Sequence, residues 1–466
     1  MTIKKSLQTG TPYHVAVVGA GASGTLVAAQ FKRLAPHGRL ALIGNSPRPA
    51  RGVAYDTPYH ANLLNVPASN MSAFPDDMSH FVTWLKRHLP GSHAGTFAPR
   101  LLYGDYLADI FDETVGGSDM VEYVSDTVVG VTPQLDHWSV HLKSGHSIKA
   151  MSVVLAFGNH LIPSDPIDFN AVADRYWRNP WADGVATGLD ANAPVLLVGT
   201  GLTMVDVALS LREVGHRGPI HAISRHGRLY QQHKPYQVRP LLTLSADFAS
   251  PLGTLRWIRR EIESAERHGS DWRAVIDSLR SHTATIWRGW TLPQRKSFLR
   301  HARNLWDIHR HRMAPGIAEQ LSALMADGTL TIHRGRLVSA SPKEAGLEVT
   351  LRETDSQGLS KLSVARVVNC TGPSRDYSQI QSPLISKLRS AGTIVPDELR
   401  LGFETDIDGR FVDADGRSVQ GLFTLGPVRI PALWESIAIP EIRNQAQALA
   451  EILLVETVTS FFSKGH

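Results

Sequence analysis

The sequence predicts an α/β protein of two similar parallel-sheet domains. A Gly-rich turn follows an apolar strand twice, first at Gly19 and again at Gly199, and each turn opens an amphipathic helix. Each copy continues with a second apolar strand, then alternating segments around turn residues, then a strand that ends on glycine. Strands that alternate with helices favour parallel sheets with ligands at the strand ends. The pattern indicates two dinucleotide-binding (Rossmann-like) domains with β-meanders.

A chain of 466 residues is too long for one simple core and suggests two or three domains. We assign 1–185 and 373–466 to a first, discontinuous domain, because Gly421 to Pro427 reads as a strand that returns to it. The second domain then spans 186–372, with a helical insertion at about 249–326. Half of the ten tryptophans lie in this insertion, which favours an extra packed layer, with a lid over the active site as the alternative.

Composition excludes several classes of protein. No stretch approaches ~18 consecutive apolar residues, so we expect no membrane span. The first residues lack the apolar core of a secretory signal, and the only cysteine is Cys370, which favours a reducing, cytoplasmic location. One cysteine also excludes a mechanism that passes electrons through a cysteine pair.

The formal net charge is +5, and much of the surplus lies in the insertion. Such a surplus would attract an anionic substrate, or it is simply a solvated helical face. We expect no nucleic-acid partner, because no nucleic-acid-binding motif accompanies the charge. We also expect no metal site, because the histidines at 301, 309 and 311 stand among arginines, which repel cations.

The first Gly-rich turn has the residues that a dinucleotide requires. Gly19 permits the tight turn, Gly21 lets the backbone approach a pyrophosphate, and Gly24 lets helix and strand pack closely. The helix N-terminus then faces the phosphate charge, so we expect FAD here. The second strand ends in Asn45 instead of an acidic residue, so Asn45 or the backbone is expected to bond the ribose. Further expected contacts to the two cofactors are Ser23, Arg51, Met71, Gly158, Gly372, Gly426 and Pro427.

The second turn predicts a nicotinamide cofactor. Gly199 and Gly201 stand as in the first copy, while Met204 replaces the last glycine. The next strand ends Ser224-Arg225, where a guanidinium suits an adenosine 2′-phosphate through bidentate bonds. This favours NADPH over NADH, with a surface arginine on a strand-end turn as the alternative.

A segment that begins at Arg51 and continues as LLNVPASNMSAFPDD resembles the part of flavin-containing monooxygenases that runs along the isoalloxazine ring. In those enzymes an Asn followed by Pro, Phe and Asp recurs. The resemblance implies that Asn65 lies near the C4a–N5 edge of the flavin, where an amide could bond a flavin hydroperoxide or the nicotinamide. The alternative is a structural loop in which Asn65 caps backbone groups.

Together these motifs make the chain similar to a bacterial family of FAD–NAD(P)-binding oxidoreductases. Relatives of this type include single-component flavin monooxygenases, among them urate hydroxylases and amine N-hydroxylases. The sequence lacks their F-x-G-x-x-x-H pattern and has Tyr176-Trp177-Arg178-Asn179-Pro180-Trp181 in its place. The resemblance rests on GAGASG, RGVAY, LLNVPASNMSAFPDD, LYGDYL, LLVGTGLTMVDVALSL, HAISRHG, NCTGP and GLFTLGPVRIPALWESIAIPEIRNQ.

This resemblance implies an FAD- and NADPH-dependent monooxygenase that uses molecular oxygen through a flavin C4a-hydroperoxide. The substrate would be small, polar and nitrogen-containing, either a urate-like ring or an amine. Two alternatives stay open. One is a reductase that passes electrons to a quinone or another acceptor without oxygen insertion, and the other is a flavin sensor without turnover.

Overall fold

The structure is a computed structural model that describes residues 11–159, 165, 167–181, 184, 186–239, 244–373 and 376–463. The strands are β1 (Tyr13–Val18), β2 (Leu40–Gly44), β3 (Val121–Ser125), β4 (Val128–Pro133), β5 (Trp138–Leu142), β6 (Ser147–Leu155), β7 (Tyr176–Trp177), β8 (Val195–Val198), β9 (Ile220–Ser224), β10 (Leu330–Lys343), β11 (Gly346–Glu353), β12 (Leu359–Val364), β13 (Arg366–Asn369), β14 (Arg410–Val412) and β15 (Ser418–Thr424).

The helices are α1 (Ala22–Leu34), α2 (Gly52–Tyr55), α3 (His80–His88), α4 (Arg100–Gly116), α5 (Leu202–Glu213), α6 (Pro251–Arg267), α7 (Trp272–Ser278), α8 (Thr283–Gly289), α9 (Leu292–His301), α10 (Arg303–Arg310), α11 (Pro315–Ala326), α12 (Pro383–Ser390), α13 (Ile430–Leu433) and α14 (Ile439–Ser463). Within the described ranges, none of these helices is long and apolar enough to cross a bilayer.

The first sheet has the order β14-β15-β6-β1-β2-β3, and its strands from β15 to β3 are parallel. The amino-terminal part of β6 also pairs with β5, which continues into β4 as an antiparallel meander. Residues of β1 alternate between two cores. Val15 and Val17 face helices α1, α4 and α14, while Ala16 and Val18 face the meander and the segment around Phe403.

The second sheet repeats this plan in the order β12-β11-β10-β9-β8-β13-β7. Strands β10, β9, β8, β13 and β7 are parallel, and β10 is long enough to continue into a meander with β11 and β12. Val195 and Leu197 pack against α5 and α11, and Leu196 faces the meander. The predicted fold class, with two Rossmann-like domains and β-meanders, is confirmed.

The predicted boundary at residue 185 differs from the sheet pairing. Strand β7 pairs with β13, so Tyr176 and Trp177 belong to the second sheet. Phe169 and Val172 lie in the same core as β11, which moves the start of the second domain to about residue 167. The sequence did not reveal the pairing of β7 with the second sheet, because a two-residue strand has no periodicity.

The helical insertion is shorter than the predicted range of about 249–326. Helix α11 packs its Ile317, Ala318 and Leu321 into the core of the second sheet, as the connection between β9 and β10. The inserted helices are therefore α6 to α10. Their aromatic core is completed by Leu401, Ile430 and Trp434 of the first domain, so the insertion is a packed layer that joins both domains.

A second contact fixes the two domains on another side. Arg100 at the start of α4 forms an ion pair of 2.9 Å with Asp206 on α5, and both side chains are largely buried. On the same face of α5, Ser210 donates to the Asn62 side chain and Glu213 accepts from the backbone of the adjacent loop. The two sheets are thus held together by polar contacts here and by the insertion elsewhere.

Candidate functional site

The first Gly-rich turn lies at the carboxyl end of β1 and is possible only with glycine. Gly19 has φ +111°, and a Cβ there would lie 2.3 Å from the Ala156 carbonyl oxygen. A Cβ at Gly24 would lie 1.9 Å from the Gly19 carbonyl oxygen. Helix α1 begins after Gly21 without a side-chain cap and without an acidic residue in its first turn. Its first N–H groups can therefore face an anion.

Two chain segments border this turn. Gly52 approaches it so closely that a Cβ on Gly21 would lie 3.5 Å from the Gly52 Cα atom. The neighbouring Arg51 is held by an ion pair of 2.7 Å with Asp105. The other segment follows β15. At Gly426, which has φ +76°, a Cβ would lie 3.4 Å from the Ser23 hydroxyl. The backbone of these two segments thus lies close to the turn on two sides.

Other predicted contacts to the first cofactor lie around the same sheet edge. Asn45 is exposed at the end of β2, and its amide donates to the Thr127 hydroxyl over 2.9 Å, which leaves its oxygen as an acceptor. Gly158 follows β6 with φ +67°. Pro427 is buried, and the Gly426 N–H already donates to the Gln445 side chain over 3.0 Å. A contact through that N–H is therefore not supported.

The second Gly-rich turn repeats the first in detail. Gly199 has φ +114°, and a Cβ there would lie 2.5 Å from the Cys370 carbonyl oxygen. The ring of Tyr230 lies over Gly201, 3.7 Å from the position that a Cβ would take. Ser224 is committed to the turn, because its hydroxyl bonds to Thr200 over 2.8 Å and accepts from a backbone N–H. Gly372 follows β13 with φ +90° and open space around it.

Arginines gather at the carboxyl end of β9. Arg225 is exposed, and Arg228 follows it in the same turn. Arg334 joins them from β10, where it pairs in register with Ser224. The pKa of His226 is lowered by burial and then by the charges of Arg228, Arg225 and Arg334. This common effect on one imidazole indicates a local positive potential, and Arg334 is the member that sequence reasoning missed.

Two predicted contact residues have their side chains in hydrophobic cores. Met71 is 2 % exposed in the core of the first domain, and Met204 is 0 % exposed beneath the second Gly-rich turn. Neither side chain is available to a cofactor. Both were predicted from their place in a motif, and a motif does not reveal which way a side chain points.

A cavity of about 450 Å³ lies where the first domain, the second domain and the insertion meet. Asn65 and Asn70 line it from the first domain, and His233 lines it from the loop after β9. His233 donates through Nε2 to the Asn65 carbonyl oxygen over 3.0 Å. The structure therefore places Asn65 in the wall of a cavity between the domains.

His233 is a cavity residue that the sequence did not single out. Burial lowers the pKa of its imidazole below the ordinary value, although the hydrogen bond to Asn65 acts in the other direction. Because Nε2 donates to a carbonyl, Nδ1 is the acceptor in the neutral form of the ring.

Ion pairs form the opposite wall of the cavity. Arg310 holds Glu435 through contacts of 2.8 to 3.1 Å, and Arg280 holds Glu441 over 2.6 to 2.9 Å. Burial acts to raise the pKa of Asp277, but the bidentate bonds and charge of Arg312, together with a bond from Tyr236 and the charge of Arg310, hold that pKa below its usual range. The residues that line the cavity include four Lys or Arg and four Asp or Glu, so their formal charges balance.

Comparison with known proteins confirms the sequence-based resemblance. Residues 16–160 match the family described as FAD-NAD(P)-binding. No curated protein sequence matches the chain. That family match covers the first Gly-rich turn and the whole first meander, but it does not reach the second turn.

Solved structures match over almost the whole chain. The L-lysine 6-monooxygenase of Pseudomonas syringae has a TM-score of 0.67 at 17 % identity, over 95 % of this chain and 99 % of that one. The ornithine N-hydroxylase of Kutzneria sp. 744 has a TM-score of 0.63 at 13 % identity, over 96 % and 99 %. The thioredoxin reductase of Lactococcus lactis has a TM-score of 0.55 at 12 % identity, over 96 % and 99 %. At such identities the likeness establishes the fold.

The pair of Arg310 with Glu435 offers a test of how the insertion is held. Both side chains are about nine-tenths buried, at 11 % and 8 % exposure. Glu435→Gln removes the charge and leaves the guanidinium buried, so the free energy of unfolding should fall by about 3 kcal/mol, the lower end for a broken buried pair because the amide still accepts a bond. Amide hydrogen exchange over 303–312 should become faster.

The matched control is Asp415→Asn, which removes the charge from an exposed pair with Arg417. An exposed pair contributes about 0–1 kcal/mol, so this variant should behave like the parent. Equal thermal stabilities of the two variants would contradict the assignment of the buried pair as the link between the insertion and the first domain.

Proposed function

We propose that this protein is an FAD-dependent, NADPH-consuming monooxygenase that hydroxylates a small nitrogen-containing substrate. The observation that carries the proposal is the cavity between the domains, because Asn65, the residue expected at the flavin edge, lines it. When bound, FAD would accept a hydride from NADPH and activate oxygen. The protein itself would bind and orient the cofactors and the substrate, and it would exclude water from the site.

The first Gly-rich turn fits a flavin dinucleotide. A pyrophosphate would lie at the N-terminus of α1, which has no side-chain cap. The backbone at Gly52 and at Gly426, near Ser23, forms the walls of this space. Ser436 adds a further argument, because it is fully buried and its hydroxyl has no partner among the described residues. An unpaired buried hydroxyl is costly unless a ligand completes it.

The second turn fits NADPH. Gly199 and Gly201 provide the corresponding backbone, and the exposed Arg225 and Arg228 supply positive charge where a 2′-phosphate would lie. Arg334 lies beside them but is paired with Asp355 over 2.7 Å. The thioredoxin reductase likeness raises the alternative of a reductase. Against disulfide chemistry stands Cys370, which is the only cysteine and is buried, with the pKa of its thiol raised by burial.

Substrate chemistry is the finer part of the proposal. The neighbours of higher TM-score are hydroxylases or monooxygenases of ornithine and lysine, which favours an amine over a urate-like ring. His233 supports this choice, because it lines the cavity and an imidazole there could accept a proton from an ammonium group.

The proposal is tested with the FAD-loaded protein, NADPH, isotopically labelled dioxygen and a panel of primary amines. A monooxygenase places one labelled oxygen atom in the product and consumes NADPH in step with it. NADPH oxidation that requires a quinone, with no label in any product, would establish the reductase alternative. No NADPH oxidation at all would establish the sensor.

Arg225 gives a prediction about cofactor choice. Arg225→Ala should weaken NADPH by ~1.5–3 kcal/mol, or about one to two decades in affinity, while NADH binding stays almost unchanged. The measurement is KM for each cofactor in flavin reduction. Arg217→Ala is the control, because Arg217 is also exposed but precedes β9 and so lies at its opposite end. If the variant weakens NADPH and NADH equally, Arg225 has a structural role and does not select the cofactor.

Asn65 gives a prediction about coupling. Asn65→Ala should leave FAD content and the rate of flavin reduction nearly unchanged, because the Asn65 amide is expected to act only after oxygen binds. Removing one donor that stabilises a developing anion costs ~2.7–4 kcal/mol, so less product and more hydrogen peroxide should form per NADPH. Asn65→Asp should be worse, because a carboxylate repels the same anion.

The exposed Asn170 supplies the control substitution, Asn170→Ala, on the far side of the domain boundary. Slower flavin reduction with unchanged coupling in Asn65→Ala would assign Asn65 to the nicotinamide site. A loss of thermal stability alone would favour the loop-capping alternative.

A further inference from the structure

A second cavity, of about 290 Å³, lies inside the helical insertion and differs in character from the first. Its walls are almost entirely aliphatic and aromatic. Leu255, Ile258 and Ile262 of α6 line one side, and they are only half-buried. The other walls are formed by residues that include Ile276, Leu279, Ile286, Trp287, Trp290, Phe298, Leu305 and Trp306.

The two cavities share their walls. On α7 and the turn after it, Asp277 and Arg280 line the polar cavity, while Ile276 and Leu279 line the apolar one. On α10, Asp307 and Arg310 line the polar cavity, while Leu305, Trp306 and His309 line the apolar one. These two helices therefore separate the cavities, and most of their residues on the apolar side are hydrophobic.

One side chain belongs to both cavities. Trp434 lines each of them and stacks on Trp287 with ring centroids 4.8 Å apart. Its backbone has φ 61° and ψ −59°, and the Glu435 N–H donates to the Leu433 carbonyl over 2.7 Å. This is a γ-turn of positive φ, a rare and strained form that persists only where the surroundings hold it. The strain directs Trp434 into the aromatic core and Glu435 into the polar cavity.

One of the residues that line the apolar cavity carries a buried donor without a partner among the described residues. The Trp306 indole N–H is buried, and no acceptor for it lies within the described part of the chain. Tryptophan N–H groups usually find a partner when buried. A hydrophobic core packed for stability alone would be filled by side chains, whereas this one keeps a void of about 290 Å³.

We propose that the substrate is amphipathic, with its nitrogen-containing head in the polar cavity and a hydrocarbon or aromatic part that displaces the Trp434 side chain, the residue shared by both cavities, and enters the cavity of the insertion. The inference rests on the proposed function for the role of the polar cavity as the place of reaction. It assigns the insertion a part in substrate selection that a packed layer alone does not have.

The test is calorimetric titration of the oxidised, FAD-loaded protein with unbranched primary amines of increasing chain length, without NADPH. Amines too short to pass Trp434 should bind with similar affinity. Beyond that length each added methylene should raise the affinity about fourfold until the cavity is full. A flat dependence on chain length in the parent protein overturns the proposal without any variant.

Two leucines of the same helix provide a matched pair of variants. Leu255 lines the apolar cavity, whereas Leu252, three residues earlier, is 56 % exposed and lies outside it. Leu255→Trp should fill the cavity and abolish the gain with chain length, and Leu252→Trp should keep it. Ile258→Phe serves as a second filling variant if Leu255→Trp does not fold. A gain that persists in the filling variants would assign the chain-length effect to another surface and overturn the proposal.

The same titrations separate this inference from the proposed function. If long amines bind as expected but no labelled oxygen enters any of them, the cavity assignment stands and the monooxygenase proposal fails. If oxygen enters short amines and the affinity ignores chain length, the monooxygenase proposal stands and the amphipathic substrate fails.

Discussion

The close crossing of each Gly-rich turn with the strand beside it is the constraint on which the rest of this structure depends. Gly19 lies against the Ala156 carbonyl and Gly199 against the Cys370 carbonyl, at distances that no side chain tolerates. Shortly after each of these carbonyls, the chain passes from one sheet to the other. One steric requirement therefore fixes the turn and the helix N-terminus above it, close to the point where the chain leaves the sheet.

The two domains that form the cavity between them are held together at two places. On one side Arg100 and Asp206 form a buried ion pair, and burial raises the pKa of Asp206 to about 6 in spite of the arginine. On the other side the insertion shares an aromatic core with Trp434 and ion pairs with the adjacent carboxylates. Breaking a buried pair leaves an uncompensated charge, so separating the domains at either place carries a large cost.

Sequence patterns predicted the features that local spacing determines. The two turns, the meanders and the returning strand β15 follow from periodicity and from glycines that only one backbone form explains. Patterns failed where distant segments meet. Arg334 joins Arg225 only through the register of β10 on β9, and His233 meets Asn65 only through the packing of the domains. The cores that hold Met71 and Met204 are equally a property of tertiary packing.

The arginines that the insertion and the turn after it place at the cavity add no net charge to its wall. Arg280, Arg310 and Arg312 face the cavity but are each matched by a carboxylate. A balanced wall offers no long-range attraction for an anion, because the fields of paired charges cancel over a short distance. Selection at this site must then come from contact, that is, from the fit of a polar head among oriented dipoles and of an apolar part beside Trp434. The arginines serve to hold the shape of the cavity, and the tryptophans define what fills it.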